Sequence, residues 1–92
     1  MTRTTYIEER APLFWSVSPA KRAEISDTLL VETILNYGEI EDLRALFDLL
    51  GLTRVAAIFF AATRNRTRDN YLPVVKNYFT LYFNRHAPQH TI

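Results

Sequence analysis

Residues 39–51 read EIEDLRALFDLLG, and the placement of their apolar side chains decides the fold. Ile40, Leu43, Leu46, Phe47 and Leu50 fall at i, i+3, i+6, i+7 and i+10, one stripe of a 3.6-residue period. Glu39, Glu41 and Asp42 stand in the first turn, where the positive end of the helix dipole favours them. Gly51 stands where the chain leaves the helix. The stretch is an amphipathic helix, and its apolar stripe requires a covering neighbour.

The neighbours on both sides are helical in pattern. In SDTLLVETILNYG, residues 26–38, Leu29, Leu30, Ile34 and Tyr37 share one face and Gly38 takes the C-terminal position. In LTRVAAIFFAATR, residues 52–64, Thr53 is placed to cap a helix over 53–64 whose Val55, Ala56, Ile58, Phe59, Phe60 and Ala62 are apolar nearly all round, the pattern of a central helix. A polar linker, NRTRDN at 65–70, precedes a last helix over 71–86 with Pro73 in its first turn and Val74, Val75, Tyr78, Phe79, Tyr82 and Phe83 at helical spacing. Pro88 ends it, leaving a tail over 87–92. No segment alternates with the period of a strand, and no dipeptide marks a hairpin. The chain therefore reads as one all-α domain spanning residues 1–92. It is a compact bundle of main helices at about 19–37, 39–50, 53–64 and 71–86, with a helical turn at Pro19–Ala23 entered from Ser18.

The first 18 residues pattern differently. APLFWSVSP, residues 11–19, holds the only tryptophan, beside a phenylalanine and between two prolines. The segment is expected to be an extended arm, and burying Phe14 and Trp15 to close the open end of the bundle is preferred over the alternative of an exposed docking peptide.

With 92 residues, 48% hydrophobic and 23% charged, the composition is that of a globular protein and not of a disordered one. The absence of cysteine excludes disulfides, thiolate metal sites and thiol catalysis. No window is apolar enough for a membrane span and the first residues lack the apolar run of a secretory signal, so a cytoplasmic protein is expected, with no membrane partner. The net charge of +1 conceals a division. Residues 1–50 sum to −4 and residues 51–92 to +5. Either the two halves neutralise each other within the fold or the basic half faces a partner.

PLFWSV at 12–17, then a helix ending ILNYGEIEDLRALFDLLG at 34–51, resembles a family of small bacterial helical domains that open on a Phe-Trp-acid-Val signature. RTRDNYLPVVKNYFTLYF at 66–83 is similar to that family's polar turn and aromatic C-terminal helix. The chain departs from the pattern with Ser16 in place of the acid and without a final tryptophan. Genes of the family often stand beside nucleotidyltransferase toxins of the abortive-infection type. The resemblance thus implies an antitoxin or accessory role.

Residues that would carry catalysis are few. No phosphate-binding glycine loop is present, since Gly38 and Gly51 both sit at helix ends. His86 and His90 are four apart, but Pro88 lies between them and no nearby ligand completes a metal site. Arg85 and His90 have the spacing of a pair used by small helical ribonucleases, a pairing that Pro88 disrupts. No cofactor is implied, and no enzyme is expected.

Helix 39–50, Gly51 and helix 53–64 have the outline of a helix-turn-helix, with Arg64, Arg66 and Arg68 available for phosphates. Against DNA reading, Phe47 occupies the site where that motif wants a small residue, and Ile58, Phe59 and Phe60 stand where base-contacting polar groups belong. The leading expectation is a non-catalytic interaction module. Its partner surface would combine Arg64, Arg66 and Arg68 with Tyr71, Tyr78 and Tyr82, for an acidic protein such as a toxin or for a second copy of the chain. Phe14, Trp15, Gly38 and Gly51 are assigned structural roles.

Overall fold

The computed structural model describes residues 2–64 and 69–87. Among them the regular elements are all helical, and no strand occurs. In chain order they are α1 (Arg3–Glu9), short 3-10 helices at Ala11–Phe14 and Pro19–Glu24, α2 (Asp27–Tyr37), α3 (Ile40–Leu50), α4 (Leu52–Thr63) and α5 (Pro73–His86).

α4 is the centre, as its all-round apolar pattern requires. It packs against α2, α3 and α5, and its Val55, Ala56 and Phe59 are fully buried. Phe59 sits among rings, with Tyr71 at 5.0 Å, Phe60 at 5.3 Å and Phe83 at 5.4 Å between centroids. Offset and edge-on contacts of this kind add to the roughly 1.5–3 kcal/mol that burying one such side chain contributes.

The N-terminal segment is helical, which corrects the extended arm expected over residues 1–18. The Thr2 hydroxyl accepts the Thr5 N–H and caps α1, and Tyr6 and Ile7 on its inner face have no exposed surface. Two polar contacts fix α1 to the start of α3. The Tyr6 hydroxyl donates to the Asp42 carbonyl at 2.7 Å, and the Arg10 Nε donates to the Asp42 carboxylate at 2.8 Å. Arg10 also lies over the Tyr6 ring, 3.9 Å from its centre. At the other end of α1, Arg3 donates to Asp27 at 3.0 Å and to the Ile25 carbonyl, while Arg54 of α4 reaches the second oxygen of Asp27 at 2.7 Å. The guanidinium groups of Arg54 and Arg3 hold the Asp27 carboxyl below its ordinary pKa of 3.8 against the opposing effect of burial.

Phe14 and Trp15, adjacent in sequence, part company. Phe14 closes into the core at 2% exposure, whereas Trp15 is 79% exposed and clamps nothing. The physical reason is the 3-10 turn at Ala11–Phe14, which spends its one inward position on Phe14 and turns the next side chain away.

The helix expected over 19–37 is interrupted at Ile25. Residues Pro19–Glu24 form a 3-10 turn whose entry residue, Ser18, makes no side-chain cap, and α2 begins afresh because the Ser26 hydroxyl accepts the Leu29 N–H at 3.1 Å. Ile25 is itself buried, so the break anchors the chain.

The glycines serve different needs. Gly51 has φ +89° and joins α3 directly to α4, donating to Phe47 and accepting from Val55. It is therefore the entry residue of α4, and the helix starts at Leu52 without Thr53 as its cap. Gly38 has ordinary φ and ψ. A Cβ there would lie 2.8 Å from the Ile34 carbonyl oxygen, so close approach to α2 selects glycine.

Candidate functional site

α5 buries one stripe and leaves another open. Phe79 and Phe83 face α4, and Val75 and Tyr82 pack partly against the same core. Val74, Tyr78 and Leu81, at i, i+4 and i+7 on the next face, are 75%, 56% and 64% exposed, and Ile40 at the start of α3 adds another large apolar group at 55%.

Ile40, Val74 and Tyr78 border a groove of about 440 Å³ between α5 and the junction of α2 with α3. Ile34, Leu35 and Phe79 form its floor, and Ile40, Val74 and Tyr78 stand at its edge with Glu39. A second cleft of about 500 Å³ continues along α5 past Leu81 and Tyr82 to Arg85 and His86. The outer surface of α5 thus runs from an apolar groove with an acidic edge to a basic end. Tyr82 links the two clefts to the core. It stacks on Phe47 at 6.2 Å and on Tyr78 at 6.1 Å, and His86 follows at 4.5 Å.

The entrance of α5 is fixed by α2. Asn36 accepts the Leu72 N–H at 3.1 Å and donates to the Asn70 carbonyl at 3.1 Å. Asp69 accepts the Tyr71 N–H at 3.0 Å and pairs with Lys76 at 2.7 Å. These contacts tie the start of the helix that presents the face to α2.

Of the residues expected to meet a partner, Tyr78 is exposed and Tyr82 is half-buried on the same face. Tyr71 is a correction. It is 6% exposed, edge-on to Phe59, and belongs to the core, because the capped turn before Pro73 directs its ring inward. Burial, reinforced by the negative Glu32 and Asp69, pushes its phenol well above the usual range, and its hydroxyl has no hydrogen-bond partner among the described residues. Arg64 is exposed at the end of α4, its guanidinium 4.5 Å from the centre of the Phe60 ring, and lines neither cleft on α5. Arg66, Arg68, Pro88 and His90 lie outside the described residues.

Sequence reasoning counted Ile40 and Val74 among the apolar stripes of their helices and passed over Leu81, and the structure leaves all three exposed. The available signal was the second stripe on α5, since a helix that needed only one covered face would carry polar residues at 74, 78 and 81.

α3 and α4 cross at 103°, within the range of a helix-turn-helix. The outward positions of α4 are Thr53 and Arg54 in its first turn and two small apolar residues beyond. Ala57 and Ala61 are exposed there, Arg54 is engaged with Asp27, and Phe59 and Phe60 are buried. Arg54–Asp27 also joins the basic half of the chain to the acidic half, whereas Arg3, Arg10 and Arg22 find their acids, Asp27, Asp42 and Glu8, within the first half. Among the described residues, no single helix is long and apolar enough to cross a membrane.

Comparison of the chain with protein-family models, with curated proteins and with solved structures gave no match.

Proposed function

We propose that the protein is a non-catalytic interaction module whose docking surface is the outer face of α5 with the adjoining groove. The observation that carries this reading is the exposed run of Val74, Tyr78 and Leu81 on α5, a helix whose Phe79 and Phe83 are already buried in the core, joined by Ile40 at the start of α3. Four large apolar groups exposed together are unfavourable in water, and their burial against a partner contributes roughly 25 cal/mol per Å² removed from solvent. Tyr78 supplies a rigid side chain with a polar tip, the kind enriched among residues that dominate binding energy. Arg85 and His86 beyond it favour acidic groups on the partner. An antitoxin or accessory role, implied by the sequence resemblance, would employ the same face.

The test is capture from the native host on the tagged chain, followed by direct rebinding with the purified captured protein. Tyr78→Ala and Leu81→Glu are expected to abolish rebinding while Trp15→Ala leaves it intact. Rebinding unaffected by either α5 variant overturns the reading.

The 103° crossing of α3 and α4 favours a second reading, a DNA-binding regulator that contacts phosphates through Arg64. Gel shifts whose affinity falls steeply with salt and is lost on Arg64→Ala, but not on Tyr78→Ala, would select it.

A further inference from the structure

The docking face carries both halves of a self-complementary contact, and we propose that its occupant is a second copy of this chain, with α5 packed antiparallel to α5 across a two-fold axis. This rests on the reading of the α5 face as a docking surface and names its partner.

Leu81 projects from the middle of the face, and the groove beside Ile40 and Val74 lies about one and a half turns nearer the start of α5, on the same side. A two-fold axis perpendicular to α5 near Tyr78 exchanges the two positions. Leu81 of each copy then enters the groove of the other, and the Tyr78 rings meet at the centre. Such an interface is isologous, so it closes at two copies and buries every exposed group of the stripe twice.

Charge fixes the direction. Glu39 stands at the edge of the groove that Val75 lines, and Arg85 with His86 stands at the far end of the face, with Val75 and Arg85 roughly 15 Å apart along α5. Neither Glu39 nor Arg85 has an ion-pair partner among the described residues, and the one backbone N–H that the Glu39 carboxylate accepts, from Asp42 in the capping box of α3, leaves it acceptor capacity for a cation. Antiparallel pairing sets Arg85 of each copy beside Glu39 of the other. Parallel pairing sets like charges together and leaves both grooves empty. The apolar stripe supplies the affinity and the two exposed ion pairs supply the register, since solvent-exposed pairs contribute little energy on their own.

Sedimentation equilibrium on the purified chain over a range of concentrations tests this, with circular dichroism to verify folding of each variant. The wild type is expected to dimerise, and Leu81→Glu to be a folded monomer. Glu39→Arg and Arg85→Glu are each expected to weaken the dimer by about tenfold, and the two reversals combined to restore most of that loss. A wild type that stays monomeric at every concentration overturns the proposal, as does a dimer that Leu81→Glu leaves unchanged or charge reversals that fail to compensate. If the wild type is monomeric while Tyr78→Ala still abolishes rebinding of a different captured protein, only the identity of the partner is overturned. If neither association depends on the face, the docking reading falls with it.

Discussion

The N-terminal segment and α5 are both rich in aromatic side chains, and the fold treats them in opposite ways. α1 is seven residues long, too short to hold itself together in water, yet it is fastened by Tyr6 and Arg10 to Asp42 and by Arg3 to Asp27. Its inner residues, Tyr6 and Ile7, have no exposed surface. α5 is twice as long, 14 residues, and its hold on the bundle comes chiefly from rings, Phe79 and Phe83 against Phe59 and Tyr82 against Phe47. Its outer stripe is left in water. The difference teaches that the short segment completes the domain while the long helix exceeds what the domain needs. An element that keeps apolar groups outside after its own packing is satisfied is equipped for something other than folding.

Substituting neighbouring residues that lie on opposite sides of this division gives the largest contrast. Phe83→Ala and Phe14→Ala are each expected to cost about 3–5 kcal/mol by denaturant unfolding, while Leu81→Ala and Trp15→Ala shift the folding of the isolated protomer by no more than about 0.5 kcal/mol. Trp15 should also emit at the wavelength of solvated tryptophan. A blue-shifted emission together with a large Trp15→Ala loss would restore the N-terminal clamp and erase the contrast.

Gly51→Ala comes next. No atom would touch the added Cβ, so the expected loss of about 1–3 kcal/mol comes from forcing a side chain into φ +89°. A loss well below that in thermal unfolding would show that the α3–α4 corner can relax, and with it the platform on which Ile40 stands.

The polar fastening of α1 separates from the apolar packing of the turn before α5 in a pair of tyrosine variants. Tyr6→Phe removes a hydroxyl that donates to Asp42 and should cost about 1 kcal/mol. Tyr71→Phe removes a buried hydroxyl without a partner among the described residues and should be neutral or stabilising. Equal losses would contradict the assignment.

The smallest effect is electrostatic. Asp27 has a depressed pKa in the folded chain, so its contribution is fully present above the ordinary value of 3.8 and is lost as pH falls through the folded value. The stability gap between wild type and Asp27→Asn should stay constant above pH 5 and close progressively in acid. A gap that widens in acid would place Asp27 outside the α1–α2–α4 junction.

How much of this was legible depends on how many residues each decision involved. α3 was readable because its stripe runs over three turns, and α4 because its apolar residues occur on every side. The residue period could not reveal α1, where only Tyr6 and Ile7 turn inward within two turns. Nor could it separate Phe14 from Trp15, adjacent and alike in chemistry, because a local 3-10 turn decides which of them faces the core. The break at Ile25 hinged on competition between one Ser26 cap and continued helix, a difference of about 1 kcal/mol. On α5 the surplus of apolar groups was visible, and the choice of Tyr78 over Tyr71 as the exposed ring was not. That choice is made by Asp69 and Asn36, which fix the turn before the helix.

The central claim is that the outer stripe of α5 serves association and not the protomer's own fold. Denaturant unfolding of the Tyr78→Ala, Leu81→Glu double variant, run beside a binding measurement on the same sample, tests it most directly. The expected result is a protomer stability within about 0.5 kcal/mol of wild type with association lost. A loss of several kcal/mol in protomer stability, or association that survives both substitutions, would contradict the account.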